Sequence, residues 1–539
     1  MFSTTYNKTE KLWYGPEIQP LYNPKISLAQ ALLEAMTNYG PKIAQISDNN
    51  GIQMSFDEIK LKTIRAAQNL QVRGYKPKQV FGLVAKNSQN VAPIFFASIA
   101  VGCSLNTLDT SFGRTELIHM LNITKPVLLF CDVECVDLLE ECLKELGINS
   151  KIFTFGDSTG DYEPIESLFK ETHKETQFIP VKVDGENDTA MIVCSSGTFT
   201  GFSKGVCLSH AALLDGTTQY KVTNSSDVML SFSSLYWITG IGTLLTGTLC
   251  GATRIITTDS FTPEFQLKLI EQYKVTYIFN AVHQVALMMR SDRFKQTDLS
   301  SLKYLITGGS KVPLNLKRAM NEFLPNGNVH VVYGMTEISN AVSLDYPTSN
   351  RDTVGRIIGG CCVKIVDDHG NRCGENEDGE VCITMNHTFL GYLNDAQATK
   401  AIFDSEDFFR TGDIGHFDED GYLYLVDRKT DLIRNCGYKI PPSELDAYLM
   451  ESPEIKSACV FGIPNEVVTH LPAALIIRAD GSNISEQDIF DMIADRFSDY
   501  CKLRGGVYFV DSFPRTASGK VKRGEVRKIA IKLYNDSKS

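Results

Sequence analysis

A loop that could wrap the phosphates of a nucleotide lies between Cys194 and Val206 and reads CSSGTFTGFSKGV. It follows the apolar segment AMIV and combines three glycines, five hydroxyl side chains and a lysine. Glycine lets backbone N–H groups approach a phosphate closely, hydroxyls donate further hydrogen bonds, and lysine supplies a compact positive charge. The spacing is not that of the P-loop, and a solvated turn is the alternative interpretation. The candidate phosphate ligands are Ser195, Ser196, Gly197, Thr198, Thr200, Gly201 and Lys204.

Three later motifs could complete a nucleotide site. The segment VVYGMTE lets Tyr333 stack on a base, Thr336 touch a phosphate and Glu337 hold Mg²⁺. In FFRTGDIGHF, Asp413 follows a Thr-Gly pair in a tight turn, where its carboxylate could accept both ribose hydroxyls. In PRTASGKVKR, Lys520 lies on a Ser-Gly turn. Each motif alone also fits an ordinary strand end or an exposed surface residue.

The elements that must position these motifs alternate between short apolar runs and longer helical patterns. Such alternation predicts parallel sheets covered by helices. We expect a strand over 79–85 with a helix over 90–101, a strand over 127–132 with a helix over 136–146, and a strand over 303–309 that ends in a glycine turn.

Three further stretches have their own patterns. Residues 363–425 contain many short strands with acidic turns, which predicts a smaller β-rich subdomain. The charged segment 427–434 precedes a new helix-rich unit and is the expected hinge. Residues 228–253 carry no charge, but their many Ser, Thr and Gly residues favour a buried strand, turn and helix over a membrane span.

The composition limits the function classes. The 539 residues, 43% of them hydrophobic, predict two to four folding units. A formal charge of −11 disfavours general nucleic-acid binding. The first residues show no secretory signal, so the fourteen cysteines are expected to be reduced and mostly buried. The cluster of Cys131, Cys135 and Cys142 lacks the pairing of a zinc site.

The ordered motifs resemble the adenylate-forming superfamily that contains firefly luciferase, 4-coumarate–CoA ligase and the acyl-CoA synthetases, and KLRGGVYFVD resembles its insect luciferase-like branch. The similarity runs nearly end to end. The motifs that carry it are VGCSLNTLD, the glycine-rich loop, GGS, YGMTE, GE at Gly379–Glu380, RTGD, VDR, GYKIPPSELD, LRGGV and FVDSFPRTASGK.

This resemblance implies an α/β fold. Residues 1–428 would form a large AMP-binding domain of two α/β subdomains plus a β-barrel, and residues 429–539 a small mobile α+β lid domain. The implied reaction converts a carboxylic acid, ATP and coenzyme A through an acyl-adenylate into an acyl-CoA, with Mg²⁺ as the metal.

The resemblance also assigns residues. Gly309, Ser310, Tyr333 and Gly334 would lie near adenine, Asp413 and Arg428 at the ribose, and Thr336 at the α-phosphate. Glu337 would order Mg²⁺. Lys520 would bridge the substrate carboxylate and the α-phosphate as negative charge builds up, and the C-terminal domain would then rotate for the attack of the thiol.

The chain departs from the family pattern at several positions. The glycine-rich loop carries an extra residue, Phe199, and Ser203 in place of a proline. Arg434 stands where luciferase-like members usually have a lysine that serves the second half-reaction, and Thr430 replaces the usual hinge residue. The altered loop keeps open a catalytically weakened relative that binds nucleotide or acyl groups.

The expected acid follows from the segment SLYWITG, in which Tyr236 and Trp237 stand where luciferases have histidines. With Ile241, these residues would form an apolar wall that favours a medium- or long-chain fatty acid, and His283 would lie in another wall. A ligase for an aromatic acid, or a luciferase-like enzyme, is the alternative. For each of these residues a place in the core is the simpler interpretation.

The C-terminal residues SKS differ at one position from the peroxisomal signal SKL. The family resemblance therefore suggests the peroxisome, but serine lacks the apolar side chain that a receptor would bury. We expect weak import through this signal, with the cytosol as the alternative.

Overall fold

Strands and helices alternate along the computed structural model of the chain. The structure describes residues 3–156, 162–195, 204–218, 222–346, 348–435, 438–465, 468–515 and 521–536. Within these ranges the strands are β1 Thr5–Asn7, β2 Leu12–Tyr14, β3 Ile43–Ser47, β4 Gln53–Ser55, β5 Val80–Val84, β6 Ser104–Leu108, β7 Leu128–Asp132, β8 Lys151–Phe155, β9 Glu163–Pro164, β10 Thr189–Cys194, β11 Gly205–Ser209, β12 Val228–Ser231, β13 Thr253–Ile256, β14 Tyr277–Ala281, β15 Tyr304–Gly308, β16 Asn328–Met335, β17 Asn340–Leu344, β18 Arg356–Ile357, β19 Cys361–Val366, β20 Gly379–Met385, β21 Gly391–Tyr392, β22 Phe409–Phe417, β23 Leu423–Arg428, β24 Ile433–Asn435, β25 Tyr438–Ile440, β26 Ile455–Asn465, β27 Thr469–Arg478 and β28 Val507–Phe509.

The α-helices lie between these strands and at the C-terminus. They are α1 Leu28–Tyr39, α2 Phe56–Val72, α3 Val91–Ala100, α4 Arg114–Thr124, α5 Val136–Leu146, α6 His210–Thr218, α7 Ile238–Cys250, α8 Pro263–Tyr273, α9 Val282–Arg290, α10 Leu314–Asn321, α11 Ala396–Ile402, α12 Pro442–Leu449, α13 Glu486–Arg496 and α14 Arg523–Asp536. The three strands and two helices predicted from the first part of the sequence are all present, with ends that differ by one residue or two.

Two mostly parallel sheets form the first and larger part of the chain. One has the strand order β21-β11-β10-β6-β5-β7-β8-β9 and the other β18-β17-β16-β15-β14-β12-β13-β3-β4. Helix α3 is apolar on all sides, and every one of its residues is buried. Residues of α1, α3 and α7 share one hydrophobic cluster, so the two sheets are packed around a common core.

A third sheet is antiparallel and has the order β1-β2-β19-β20-β22-β23. Trp13 stacks between Tyr6 and Phe417 and fixes the N-terminal hairpin on this sheet. The expected β-rich subdomain is confirmed, but the barrel is not: within the described ranges no ladder joins β1 to β23. One edge strand, β1, belongs to the N-terminal hairpin, and the other edge strand, β23, leads into the C-terminal domain.

The C-terminal unit is an α+β domain, as expected. Its sheet has the order β25-β24-β27-β26, and β28 pairs with β27 in parallel. Helices α12 and α13 contribute to its own hydrophobic cluster. Ser443, at the start of α12, donates its backbone N–H to Asp427 Oδ2 at 2.9 Å, so the helix is anchored to the end of β23.

The uncharged stretch 228–253 folds as strand β12, a turn and helix α7, as predicted. None of the described helices is both long enough and apolar enough to cross a membrane. The thirteen cysteines of the described ranges are free thiols, and most of them are buried, in agreement with the sequence analysis.

Candidate active site

The ends of the parallel strands β15 and β16 bring two predicted motifs together. Gly308 pairs with Val332, so Gly309 and Ser310 emerge beside Tyr333. A Cβ at Gly308 would lie 2.2 Å from the Val332 carbonyl oxygen, so only glycine fits there. Ligands of open α/β sheets bind at the carboxyl ends of the strands. The exposed edge formed by Gly309 and Ser310 is therefore placed to receive a ligand.

A buried carboxylate holds the next part of the site. Asp413 Oδ2 accepts a hydrogen bond from the Tyr333 hydroxyl at 2.6 Å, and Asp413 Oδ1 lies 2.7 Å from Arg428 Nε. The prediction that Asp413 lies in a tight turn is wrong, because the residue lies inside strand β22 and pairs with Arg428 across the β22–β23 ladder. Burial raises the pKa of Asp413, while the Arg428 charge and the Tyr333 hydrogen bond oppose this shift. The carboxylate keeps lone pairs free to accept further hydroxyl groups, because each oxygen can take two hydrogen bonds.

Glu337 lies in the short turn that follows β16. Its carboxylate Oε1 accepts the Tyr392 hydroxyl at 3.0 Å, and its carbonyl oxygen accepts the Phe389 N–H at 3.0 Å. Burial raises the pKa of Glu337, and the charges of Arg428 and Lys204 act against the rise. Thr336 is partly buried beside it. The sequence analysis missed Tyr392, because nothing in the local spacing of GYLND connects it to a residue so far back in the chain.

The base of the glycine-rich loop is described, and its tip is not. The Ser195 N–H donates to the Lys204 carbonyl at 2.8 Å, and the Lys204 N–H donates to Ser195 Oγ at 3.2 Å. Lys204 Nζ lies 3.8 Å from Asp395 Oδ2 and 4.6 Å from the centre of the Tyr392 ring. The remaining candidate residues of the loop lie outside the described ranges, and their roles stay predictions: Ser196, Gly197, Thr198, Phe199, Thr200, Gly201 and Ser203.

The lysine predicted for the first half-reaction belongs to the C-terminal domain. Lys520 lies outside the described residues, so its role stays a prediction, and the flanking residues Arg515 and Val521 form an isolated β-bridge. Burial lowers the pKa of His283, and the positive charge of Arg515 in the C-terminal domain adds to this effect. Arg434 is exposed, and its backbone N–H donates to His470 Nδ1 at 3.1 Å.

The residues predicted for the acyl pocket are not all in one place. Tyr236 packs edge-on against Phe112 and Trp237, with ring centres 5.0 and 4.6 Å apart. Tyr236 belongs to the hydrophobic cluster of α4 and α5, and the partly buried Trp237 packs against this cluster. Ile241 is fully buried in the common core, whereas His283 faces the C-terminal domain. Within the described ranges no ring contact or hydrogen bond joins His283 to Trp237, and the pocket stays a prediction.

The donor set around Glu337 fits a magnesium ion only together with a nucleotide. In the described part of the chain, no three His, Cys, Asp or Glu side chains are grouped as metal ligands. Mg²⁺ typically binds through one or two carboxylates plus phosphate oxygens and water. A single partly buried carboxylate facing the glycine-rich loop is compatible with that mode of binding.

The comparisons with known proteins agree with this geometry. Residues 32–393 match the family model described as AMP-binding enzyme, and residues 444–520 match the AMP-binding enzyme C-terminal domain. The predicted domain boundary at 428/429 falls between the two matched segments.

Similar sequences and structures include light-emitting and ligase enzymes. The chain is 28% identical to a luciferin 4-monooxygenase of Nipponoluciola cruciata, over 97% of this chain and 98% of the relative. It is 29% identical to a probable 4-coumarate–CoA ligase 1 of Dictyostelium discoideum, over 86% of this chain and 88% of the relative. An anthranilate CoA ligase, AuaEII, solved with anthranoyl-AMP, has the same fold at a TM-score of 0.86 and 23% identity, with 96% of this chain and 99% of that chain covered. The luciferase-like enzyme of the nonluminescent Zophobas morio mealworm gives a TM-score of 0.72 at 29% identity, with 77% and 98% covered.

Proposed function

Because this chain belongs to the AMP-binding enzyme family, we propose that it activates a carboxylic acid with ATP and transfers the acyl group to coenzyme A. The observation that carries the proposal is the constellation of Tyr333, Asp413 and Arg428 at one end of the site with Glu337 and Lys204 at the other. It offers a carboxylate for ribose hydroxyls, a carboxylate for a metal and a cation for phosphate.

In the first half-reaction, a carboxylate oxygen of the acid attacks the α-phosphorus and pyrophosphate leaves. Mg²⁺, when bound, would neutralise charge on the phosphates. Thr336 would contact the α-phosphate, and Lys520 would stabilise the charge that builds up between the carboxylate and that phosphate. The chain needs no general base, because the acid is already ionised at neutral pH.

In the second half-reaction, the thiol sulfur of coenzyme A attacks the acyl carbon, its proton is lost and AMP leaves. We propose that the C-terminal domain rotates about the segment after Arg428 between the two steps. The rotation would withdraw Lys520 and bring Arg434, which is now exposed, to the acyl-adenylate.

For the acid we propose a medium- or long-chain fatty acid. Tyr236, Trp237 and Phe112 make an apolar aromatic wall that an alkyl tail could cover. An aromatic acid is the second candidate, because edge-to-face packing on the same rings would also bind a ring. That several relatives are named 4-coumarate–CoA ligases supports this alternative.

Pyrophosphate release, measured with a panel of fatty and aromatic acids with and without coenzyme A, tests the proposal. We expect release that depends on the acid, and an acyl-CoA product in mass spectrometry only when coenzyme A is present. Light emission, or acyl-adenylate formation without a thioester product, would contradict the proposed ligase activity and indicate a luciferase-like activity. Nucleotide binding without turnover of any acid would identify a weakened relative with an altered glycine-rich loop.

A further inference from the structure

The two-residue strand β21 places Tyr392 beside the residues that directly follow the glycine-rich loop. Strand β21 pairs with β11 so that Tyr392 faces Val206, and the Leu393 N–H donates to the Gly205 carbonyl at 2.8 Å. The turn into this strand depends on Gly391, whose φ is +130° and where a Cβ would lie 2.9 Å from Thr399 Cγ2. The backbone ladder therefore fixes the position of the tyrosine without help from its side chain.

The Tyr392 side chain touches both halves of the candidate site. Its hydroxyl donates to Glu337 Oε1 at 3.0 Å, and its ring lies 4.6 Å from Lys204 Nζ. Within the described ranges, this hydroxyl is the only side-chain group that hydrogen-bonds the Glu337 carboxylate. Lys204 is held from the other side by Asp395, at 3.8 Å.

We propose that Tyr392 is a positioning residue that sets the Glu337 carboxylate for a divalent metal ion and the Lys204 ammonium for the phosphates of the nucleotide. The inference rests on the proposed function and adds a link between two parts of its site. A carboxylate held by one hydrogen bond presents its second oxygen in a fixed direction. Partners of this kind usually change metal affinity by about 10- to 100-fold when they are removed.

The ring and the hydroxyl of Tyr392 have separable roles. The ring also packs edge-on against Phe389, with centres 5.1 Å apart, so it contributes to packing. The hydroxyl takes no part in that contact. Tyr392→Phe therefore removes the hydrogen bond to Glu337 and keeps the surface under Lys204, whereas Tyr392→Leu removes both.

Tyr424 offers a matched control. Its hydroxyl donates to Asp418 Oδ2 at 3.1 Å, so Tyr424→Phe breaks a tyrosine–carboxylate hydrogen bond of similar length in a different part of the molecule. A general loss of stability after removal of such a bond would therefore be seen in both variants.

The test is a Mn²⁺ titration of the full chain, followed by the electron paramagnetic resonance signal of free Mn²⁺, in the presence of an ATP analogue with a non-cleavable bond between the α- and β-phosphates. We expect Tyr392→Phe to weaken Mn²⁺ binding about tenfold or more and to leave the affinity for the metal-free analogue unchanged. Tyr392→Leu should weaken both, and Tyr424→Phe neither.

Unchanged Mn²⁺ affinity in Tyr392→Phe overturns the inference, as does a wild-type chain that binds no Mn²⁺ with the analogue. Equal losses in Tyr392→Phe and Tyr424→Phe, with lowered melting temperatures, would reduce Tyr392 to a packing residue. If Tyr392→Leu does not fold, the comparison of the two phenylalanine variants still decides. Absence of pyrophosphate release with every acid would contradict the proposed function. The metal titration would still test the role of Tyr392, because it does not depend on turnover.

Discussion

The nucleotide region and the acyl region of this chain differ in the partners that their buried carboxylates have. In the nucleotide region, Asp413 has Arg428 and Tyr333 as partners, and Glu337 has Tyr392. In the acyl region, the predicted wall consists of the aromatic rings of Tyr236, Trp237 and Phe112. Cys131 shares a hydrophobic cluster with Tyr236, and the next residue, Asp132, is 8% exposed. Within the described ranges the Asp132 carboxylate accepts only a backbone N–H, that of Lys86 at 2.9 Å.

The fold therefore constrains the side chains of the two regions in different ways. Charged side chains of the nucleotide region converge because strand ladders align them, so each position tolerates little change. The side chains of the acyl region pack in a hydrophobic cluster of helices, strands and loops, and such clusters accept changes of shape at modest cost. We therefore expect large effects on the reaction in the first region and changes of substrate preference in the second.

The largest expected effect comes from Lys520→Ala. This change should remove charge stabilisation from the first half-reaction, lowering the rate of adenylate formation by more than a hundredfold, about 3 kcal/mol. Thioester formation from supplied acyl-adenylate should be spared. Lys522→Ala, whose ammonium pairs with Glu525 at 3.3 Å, is the control and should retain both activities. Equal damage to both half-reactions in Lys520→Ala would remove this lysine from the adenylation step.

Asp413→Asn should have the next largest effect. The amide keeps the shape of the side chain but leaves Arg428 without its charged partner and weakens acceptance of ribose hydroxyls. We expect ATP affinity to fall by about 2 kcal/mol, roughly thirtyfold, in a calorimetric titration. Asp420→Asn, which breaks an exposed ion pair with Arg351, should bind ATP normally. Native-like ATP binding by Asp413→Asn would place the ribose elsewhere.

Trp237→Ala tests the acyl region. Removing the indole should open space in the wall and shift preference towards longer or bulkier acids, by about tenfold in relative kcat/KM, close to 1.4 kcal/mol. The KM for ATP should stay the same, and Trp237→Phe should give an intermediate profile. An acid profile identical to that of the wild type would mean that Trp237 is a core residue without substrate contact.

The smallest expected effect is a pH-dependent change of stability at Asp132. Burial raises the pKa of this carboxyl to about 6, whereas the unfolded value is about 3.9. The folded state therefore binds more protons between these values, and wild-type stability falls as pH rises through that window.

Asp132→Asn does not titrate, so it should be more stable than the wild type at pH 8 by about 1 kcal/mol. The weaker hydrogen bond from the Lys86 N–H to a neutral amide oxygen offsets part of the gain. In urea titrations the advantage should shrink towards pH 4. A constant difference at all pH values would show that the carboxyl keeps its ordinary pKa.

The sequence predicted more of the nucleotide region than of the acyl region. The motifs around Tyr333 and Asp413 are short, continuous segments of sequence, and their chemistry can be read from residue type and order. The strands at 79–85 and 303–309 and the helix at 136–146 were likewise predicted from local apolar patterns. For Ile241, the pattern left two interpretations open, and the structure places the side chain in the common core.

By itself, the sequence determined the alternation of strands and helices, the order of the motifs and the separation of a C-terminal unit, because these depend on short-range patterns of apolar and turn-forming residues. The local pattern predicted a helix-rich unit, whereas the structure adds strands β24 to β28, so the α+β class followed from the family resemblance. Only the tertiary structure decided that the antiparallel sheet stays open and that the charge of Arg515 acts on His283. It also decided that Tyr392 joins Glu337 to Lys204. These contacts connect residues far apart in the chain, and their formation depends on how whole sheets pack, which no local spacing encodes.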